Sequence, residues 1–413
     1  MIPTIEVRLS NPAGDISIGT CRFNLKRGAI STLFTYDETY LASSDAFVID
    51  PALPLSSSRH HIDGLPGTMR DSAPDRWGRH LIARRNLSAL NPAAGVHTLD
   101  EVDYLLGVQD RTREGALRYV DPSTGEYLSV YGDIPPVVEL KRVLAASNEI
   151  AKGDEGADQI KELLDAGSGS LGGARPKASV LDEGKIFMAK FPHPGDEWDV
   201  MAWEKTALDI ASVAGVSVPS SRLVRLGAET VLIIERFDRV DSRVDGARIP
   251  YLSAMSLLGS RDGEQRDYIE LAEEMGAFAG QVDKQLRELF CRVVLSVALR
   301  NTDDHLRNIG FLRRGAEWLL SPVFDVNINP DASRGRATSI YGETGAREVS
   351  ALRELAVACG IDSAETSGVA RRVVDAASRL ELVARKNGCS EREIGFMKSV
   401  VAERCGALRD EFL

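Results

Sequence analysis

The sequence predicts an α+β fold in which a β-rich segment precedes a mixed lobe and a helical lobe. Three observations carry this. Residues 1 to about 130 read as strand-rich, residues 131–237 mix helical spacing with short strands, and residues 238–413 are mostly helical. At about 150 residues per domain, a chain of 413 residues suggests roughly two to three domains. Hydrophobic residues make up 43% and charged residues 27%, values of an ordinary folded protein rather than a disordered one. Fifty Lys and Arg against 61 Asp and Glu leave a net charge of −11 with histidine neutral. That argues against a surface that coats nucleic acid or anionic membrane throughout, though not against one local basic patch.

The five cysteines (Cys21, Cys291, Cys359, Cys389 and Cys405) have no C-x-x-C spacing. A zinc ribbon or a thioredoxin-type motif is therefore not expected, and a reduced, cytoplasmic compartment fits. The opening "MIPTIEVRLS" has no signal-peptide pattern. The most apolar stretch, Leu289 to Leu299, is short and carries Arg292, so no membrane span is expected.

In the first segment, "IEVRLS" alternates, "GDISIGTCRF" follows a Gly-Asp turn, and "GAISTLFTY" and "AFVID" are rich in β-branched and aromatic residues. All four are expected as strands. "DSAPDRWGRHLIARRN" reads as a helix entered through Ser72 and Pro74, and "GALRYVDPSTGEYL" as a hairpin around Asp121-Pro122 and Gly125. Further on, "PVVELKRVLAASNEIAKG" places Val137, Leu140, Val143 and Leu144 on one helical face, and "DQIKELLDAG" is a second helix closed by Gly167. A Gly/Ser loop, residues 168–177, leads into two short strands joined at Asp182–Lys185. A helix Asp199–Ala214, the strand "SRLVRL", a turn at 227–229 and the strand "TVLIIERF" follow. The helical part contains a hairpin in "NIGFLRRGAEWLLSPVFDV", and residues 332–348 are the best candidate for a mobile loop.

Glycines let backbone N–H groups approach and cradle a phosphate, which makes Gly172, Gly173 and Lys177 of the Gly/Ser loop candidates to meet one. A glycine-rich turn alone more often just connects elements. A Walker A loop is excluded: Pro176 precedes Lys177, Ala178 follows, and the next element is a strand. The order of elements adds weight. A glycine loop, a strand bearing Lys190, a helix with Glu204 and a strand ending at Glu235 follow the order of a protein-kinase N-lobe. Lys190 shares a strand face with Ile186 and Met188, although an edge-strand lysine would read the same way.

The helix Lys284–Arg300 has an apolar stripe at Leu286, Leu289, Phe290, Val293 and Val297 and should be buried. After it, "NTDDHLRNIGFL" spaces Asp303 and Asn308 as the D-x-x-x-x-N of a kinase catalytic loop, where Asp orients a hydroxyl proton and Asn offers oxygen to Mg²⁺. Asp325, at the end of the apolar run "VFD", sits where a second magnesium aspartate belongs. Asp304 is an alternative to Asp303 as base, disfavoured by the spacing. His305 is expected to brace the loop rather than bind metal, and the adjacent His60 and His61 receive no role. The fold expected is thus a protein-kinase-like bilobal core (mixed β N-lobe, residues 131–237; helical C-lobe, residues 238–413) behind a β-rich N-terminal subdomain, residues 1–130.

The segments "GSLGGARPKA", "AKFP", "IIERFDR", "NTDDHLRNIGFL" and "FDV" resemble signatures of HipA, the serine/threonine-kinase toxin family of HipBA-type toxin–antitoxin modules. "FTYDETYLASSDAFVIDPALPL", "DSAPDRWGR" and "EGALRY" are similar to the subdomain that precedes the kinase core in that family. The resemblance spans nearly the whole chain. It implies ATP and Mg²⁺ as cofactors, Asp303 as the catalytic aspartate, Asn308 and Asp325 as magnesium ligands, Lys190 as the phosphate lysine and Glu204 as its helix partner. Glu235 and Phe237 would hold adenine. Ser170, with Ser168 as the alternative, would be the autophosphorylated serine. It further implies a HipB-like helix-turn-helix antitoxin as partner, DNA reached mainly through that antitoxin, and a translation component such as an aminoacyl-tRNA synthetase as substrate. Like HipA proteins, the chain lacks H-R-D and D-F-G. Residues 240–275 carry no signature. The competing readings are a small-molecule kinase of the aminoglycoside- or choline-kinase type and a catalytically silent co-repressor bound to the antitoxin.

Overall fold

The computed structural model describes residues 4–26, 28–88, 98–129, 132–152, 156–168, 175–331 and 333–413. The chain divides into two compact units, one of residues 1–195 with 233–252, the other of residues 196–232 with 253–413.

The first unit opens with β1 (Thr4–Leu9), β2 (Ile16–Lys26) and β3 (Ala29–Tyr36), the three expected strands. They join β4 (His60–Asp63) and β5 (Leu117–Val120) in an antiparallel sheet of order β4-β3-β2-β1-β5. Ile5, Val7, Ile18, Cys21, Phe34 and Tyr36 alternate into a core closed by Leu53, Met69, Leu105 and Tyr119. "AFVID" is not a strand. A side chain holds its backbone at Phe47, where the Tyr40 hydroxyl donates to the carbonyl and accepts from the N–H, while its own Asp50 carboxylate accepts from the N–H groups of Ala52 and Thr68. The helix expected from Ser72 begins later, at Arg76, with Asp75 accepting from the Gly78 N–H. Ser72 belongs to the turn before it, its hydroxyl donating to the Met69 carbonyl.

The helices Leu140–Lys152 and Ala157–Asp165 lie where the sequence places them, and Gly167 closes the second in the left-handed region at φ +67°. Strands β6 (Lys177–Asp182) and β7 (Lys185–Lys190) form a hairpin turned by Glu183 and Gly184, both at positive φ, as the two-residue connection requires. Strands β8 (Ser221–Leu226) and β9 (Glu229–Glu235) follow, and the chain returns to the first unit at Ile233.

Beyond β9 the first unit is held by buried charge. Arg236 and Arg239 both donate to the Asp238 carboxylate, which also accepts from the Gly115 N–H. The Arg236 guanidinium reaches the Thr112 carbonyl, and that of Arg239 reaches the carbonyls of Arg111 and Arg113. Nearby, Asp110 takes Arg118 and Arg248. Burial opposes the ionisation of Asp110 and Asp238, but the facing guanidiniums outweigh it, holding Asp110 at about 2 and Asp238 below the ordinary carboxylate range. Residues 240–247, the start of the stretch without a signature, lie between Arg239 and Arg248, which pair as an isolated antiparallel bridge.

In the second unit the helix Val282–Ala298 is buried on almost every side, packed by the helices Tyr268–Phe278, Glu348–Ala358, Ser363–Ala377 and Glu391–Phe412. Its one deeply placed charge, Arg292, is paired with Glu288 and caps the Ser321 carbonyl. The helix expected at Asp199–Ala214 spans Val200–Val213, with Asp199 accepting from the Ala202 N–H. The stretch 332–348 is not a mobile loop in its described part. Arg336 buries its guanidinium against Glu348 and the Ser296 hydroxyl, Thr338–Ser339 pairs with Arg266–Asp267, and Asp267 accepts from Ser339, Tyr341 and Gly342. Among the described residues no helix is long and apolar enough to cross a membrane.

Glu114 lies beside the buried arginines, and burial followed by the Asp238 charge pushes its carboxyl up from 4.5 to about 8, with Asp71 adding to the rise and Arg236 and Arg239 opposing it. A raised carboxyl binds its proton more tightly in the folded state, so its contribution is complete below about pH 4.5 and lost as pH rises through 8. Urea midpoints from pH 5 to 9 should therefore fall more steeply with pH in the wild type than in Glu114→Gln. Equal slopes would contradict the burial.

Candidate active site

The helix Val282–Ala298 ends in a way that throws the next residues off its axis. Arg300 takes the left-handed conformation at φ +51°, its N–H donates to the Val297 carbonyl and the Asn301 N–H donates to that of Ser296. Asn301 and Thr302 are buried, and the chain then emerges at Asp303, whose side chain is 60% exposed. Backbone bonds fold the loop back: the His305 N–H donates to the Asp303 carbonyl and the Asn308 N–H to that of His305. The brace expected of His305 thus runs through its backbone.

Asn308 is 7% exposed, and its Nδ2 donates to the Asp303 carbonyl at 3.2 Å. The amide nitrogen is spent on the loop, which orients the amide as an oxygen donor on its other side. The two adjacent aspartates differ sharply. The Tyr268 hydroxyl donates to Asp304 Oδ2 at 2.5 Å and the Thr338 hydroxyl to the Asp304 carbonyl. Burial, then the Asp304 charge, pushes the Tyr268 phenol well above its ordinary value, so it remains a donor. Asp325 follows the hairpin Gly310–Arg314 with Glu317–Leu320 and adopts φ +57°, a conformation that costs a non-glycine residue about 1–2 kcal/mol. Asn327 Nδ2 donates to its Oδ1 at 3.3 Å.

Spacing gave no sign of Arg334. Asn329 donates from its side chain to the Thr302 hydroxyl and from its backbone to the Arg300 carbonyl, and the Ala337 N–H donates to the Thr302 carbonyl. The segment between is therefore pinned at both ends to the residue before Asp303, and the Arg334 guanidinium lies 3.5 Å from Asp303 Oδ1.

The first unit carries the other candidates. Lys190 is 4% exposed at the end of β7, directly opposite Lys177 in the β6–β7 register, so the two ammonium groups share one face. Lys177 is 2% exposed and ion-paired with Asp75 at 3.2 Å. Glu235 receives Lys185 Nζ at 2.8 Å, and Phe237 is half-buried. Ser168 is completely buried, its hydroxyl without a hydrogen bond among the described residues. Ser170, Gly172 and Gly173 lie outside the described residues. Glu204, buried on the helix Val200–Val213, belongs to the second unit.

Two family models match the chain: the HipA N-terminal domain over residues 13–120 and the HipA-like C-terminal domain over residues 169–380. A curated Haemophilus influenzae protein described as a candidate kinase is 26% identical over 171 residues, 37% of this chain, and the match spans about half, 48%, of that relative's length. Among solved structures, a chain of the Shewanella oneidensis MR-1 toxin–antitoxin complex of HipA, HipB and operator DNA aligns with a TM-score of 0.68 at 15% identity. That alignment covers 98% of this chain and 97% of the other, so the two share a fold. The Helicobacter pylori proinflammatory kinase CtkA aligns at a TM-score of 0.47 and 16% identity, over 58% of this chain and 91% of that one.

The contrast between the adjacent aspartates is measurable without any assumption about activity. Asp303→Ala removes an exposed carboxylate and should change stability by less than about 0.5 kcal/mol. Asp304→Ala strips a buried phenol of its acceptor and should cost about 1–3 kcal/mol. Urea denaturation of both variants reads the difference, and equal losses would contradict the geometry.

Proposed function

The chain belongs to the HipA family, and from that premise we propose that it is an ATP- and Mg²⁺-dependent serine/threonine protein kinase. The observation that carries this reading is the loop in which Asn308 hangs by its amide nitrogen from the Asp303 carbonyl while the Asp303 carboxylate stands exposed. A hydroxyl substrate can reach that carboxylate, which accepts or orients its proton as phosphoryl transfer proceeds. The pairing of Asp304 with Tyr268 leaves Asp303 as the better candidate of the two.

Asn308 and Asp325 would hold Mg²⁺. Both offer hard oxygen atoms, and Mg²⁺ is ordinarily bound by one or two such side chains together with substrate phosphates and water. When bound, Mg²⁺ neutralises charge on the phosphates. Lys190 would meet the same phosphates, with Lys177, Gly172 and Gly173 lining the loop above them and Glu204 positioning Lys190. Glu235 and Phe237 would receive adenine. The three-part division at residues 130 and 237 goes with this reading.

Regulation would act through autophosphorylation of Ser170. The complete burial of Ser168 makes it the poorer acceptor of the two. About two added negative charges on a phosphate-binding loop would repel ATP. A HipB-like antitoxin is the proposed partner, supported by the HipA–HipB–operator complex that shares the fold, and it would carry any contact with DNA. The proposed substrate is a translation component such as an aminoacyl-tRNA synthetase. Five buried, unpaired cysteines agree with a cytoplasmic setting.

Incubation of dephosphorylated protein with labelled ATP and Mg²⁺ should label Ser170 in the wild type, and EDTA should abolish the labelling. Asp303→Asn should reduce it about 10²–10⁴-fold. Ser170→Ala should remove the autophosphorylation site while leaving nucleotide binding. A wild type that neither binds ATP nor becomes labelled contradicts the kinase reading, and label retained in Asp303→Asn contradicts the base assignment.

A further inference from the structure

The segment that follows β9 has two faces. Glu235 and Phe237 are half-buried on one, and Arg236 and Asp238 are buried on the other. The alternation is that of an extended chain, and the Arg236 N–H indeed continues the pairing by donating to the Ile186 carbonyl of β7. The buried face rests on residues 111–115: the Gly115 N–H on Asp238 Oδ2 at 2.9 Å, Arg236 Nη1 on the Thr112 carbonyl at 3.0 Å, and Arg239 Nη2 on the Arg113 carbonyl at 2.8 Å. Gly115 sits at φ +73° with Tyr251 atoms 3.2 Å from where a Cβ would stand, so this turn has little room to relax.

The HipA N-terminal domain match ends at residue 120, so residues 111–115 belong to the N-terminal part of the chain. The two partners are therefore more than 120 positions apart in sequence and meet through charge. We propose that Asp238 is a positioning residue through which the 111–115 turn fixes the adenine-binding hinge, making nucleotide affinity a property of the N-terminal subdomain as well as of the kinase core. The proposal rests on the assignment of Glu235 and Phe237 to adenine. By linkage, if docking of the turn raises nucleotide affinity by some factor, bound nucleotide favours the docked turn by the same factor.

Mant-ADP with Mg²⁺ is the probe. Its binding to the wild type should slow amide exchange at residues 112–116, Gly115 included. In Asp238→Asn, mant-ADP affinity should fall about tenfold, and the KM for ATP should rise while kcat holds. Arg239→Lys keeps the charge but loses the fork that spans two carbonyls, and it should shift affinity in the same direction by less. If Asp238→Asn does not fold, Arg239→Lys and the wild-type exchange experiment decide the matter. Unchanged exchange at 112–116 on nucleotide binding, with folded variants binding mant-ADP within twofold of wild type, overturns the coupling alone. Failure of the wild type to bind mant-ADP overturns the hinge assignment and the coupling with it.

Discussion

A carboxylate can stay ionised inside a protein only where its lost hydration is replaced, and Asp238 meets that condition with two guanidiniums and a backbone N–H. Much in the first unit follows from it. Arg236 and Arg239 have further donors, several of which reach the carbonyls of residues 111–113. The carbonyls of residues 111–113 stand at and just after the end of the short 3₁₀ turn Asp110–Thr112, and the arginines supply donors to them. The arrangement is cooperative in the costly sense. Loss of one member leaves a buried charge or carbonyl unmatched, which costs more than the pair contributes.

The second unit solves a different problem, the placement of an exposed carboxylate at a fixed point. A helix buried on nearly all sides is the least compliant element available, and Asp303 follows its end by only a few residues. The left-handed Arg300 sets the exit direction, Asn308 ties the loop to itself, and Asp304 nails it to Tyr268. Asp303 is thereby held by its neighbours' bonds and needs none of its own to the core. That is the form of support a reacting group requires, rigid behind and open in front.

Much of this was legible in the sequence, because strands β1 to β3, the β6–β7 turn and the buried helix all declare themselves by period and turn chemistry. The D-x-x-x-x-N spacing likewise marks two residues that the fold joins, the Asn308 side chain donating to the Asp303 backbone carbonyl. What escaped was nonlocal satisfaction of polar groups. "AFVID" has strand composition, but the Tyr40 hydroxyl takes the backbone bonds of Phe47 and the Asp50 carboxylate is drawn to the Thr68 N–H. The stretch 332–348 reads as a flexible polar loop until Arg336 is seen to be buried against Glu348. Lys177 reads as a phosphate contact from its loop, and its ion pair with Asp75, 102 residues away, has no local sign. A buried arginine or aspartate looks the same in sequence as a solvated one, and only its distant partner distinguishes them.

Backbone strain separates the remaining candidates. Glu183 has positive φ because a two-residue hairpin turn requires it, and Arg300 because a helix C-terminus commonly closes that way. Glycine would serve either role with less strain, so the conformation there says little about function. Asp325 lies in neither setting. It follows a strand, closes no helix and is not part of a two-residue turn, yet it holds φ +57° at about 1–2 kcal/mol. Glycine would relieve the strain but would remove the carboxylate. Asp is among the few non-glycine residues that tolerate this region. Its carboxylate, accepting from Asn327 Nδ2, is directed by the backbone into one orientation, which suits the metal-ligand role proposed for it.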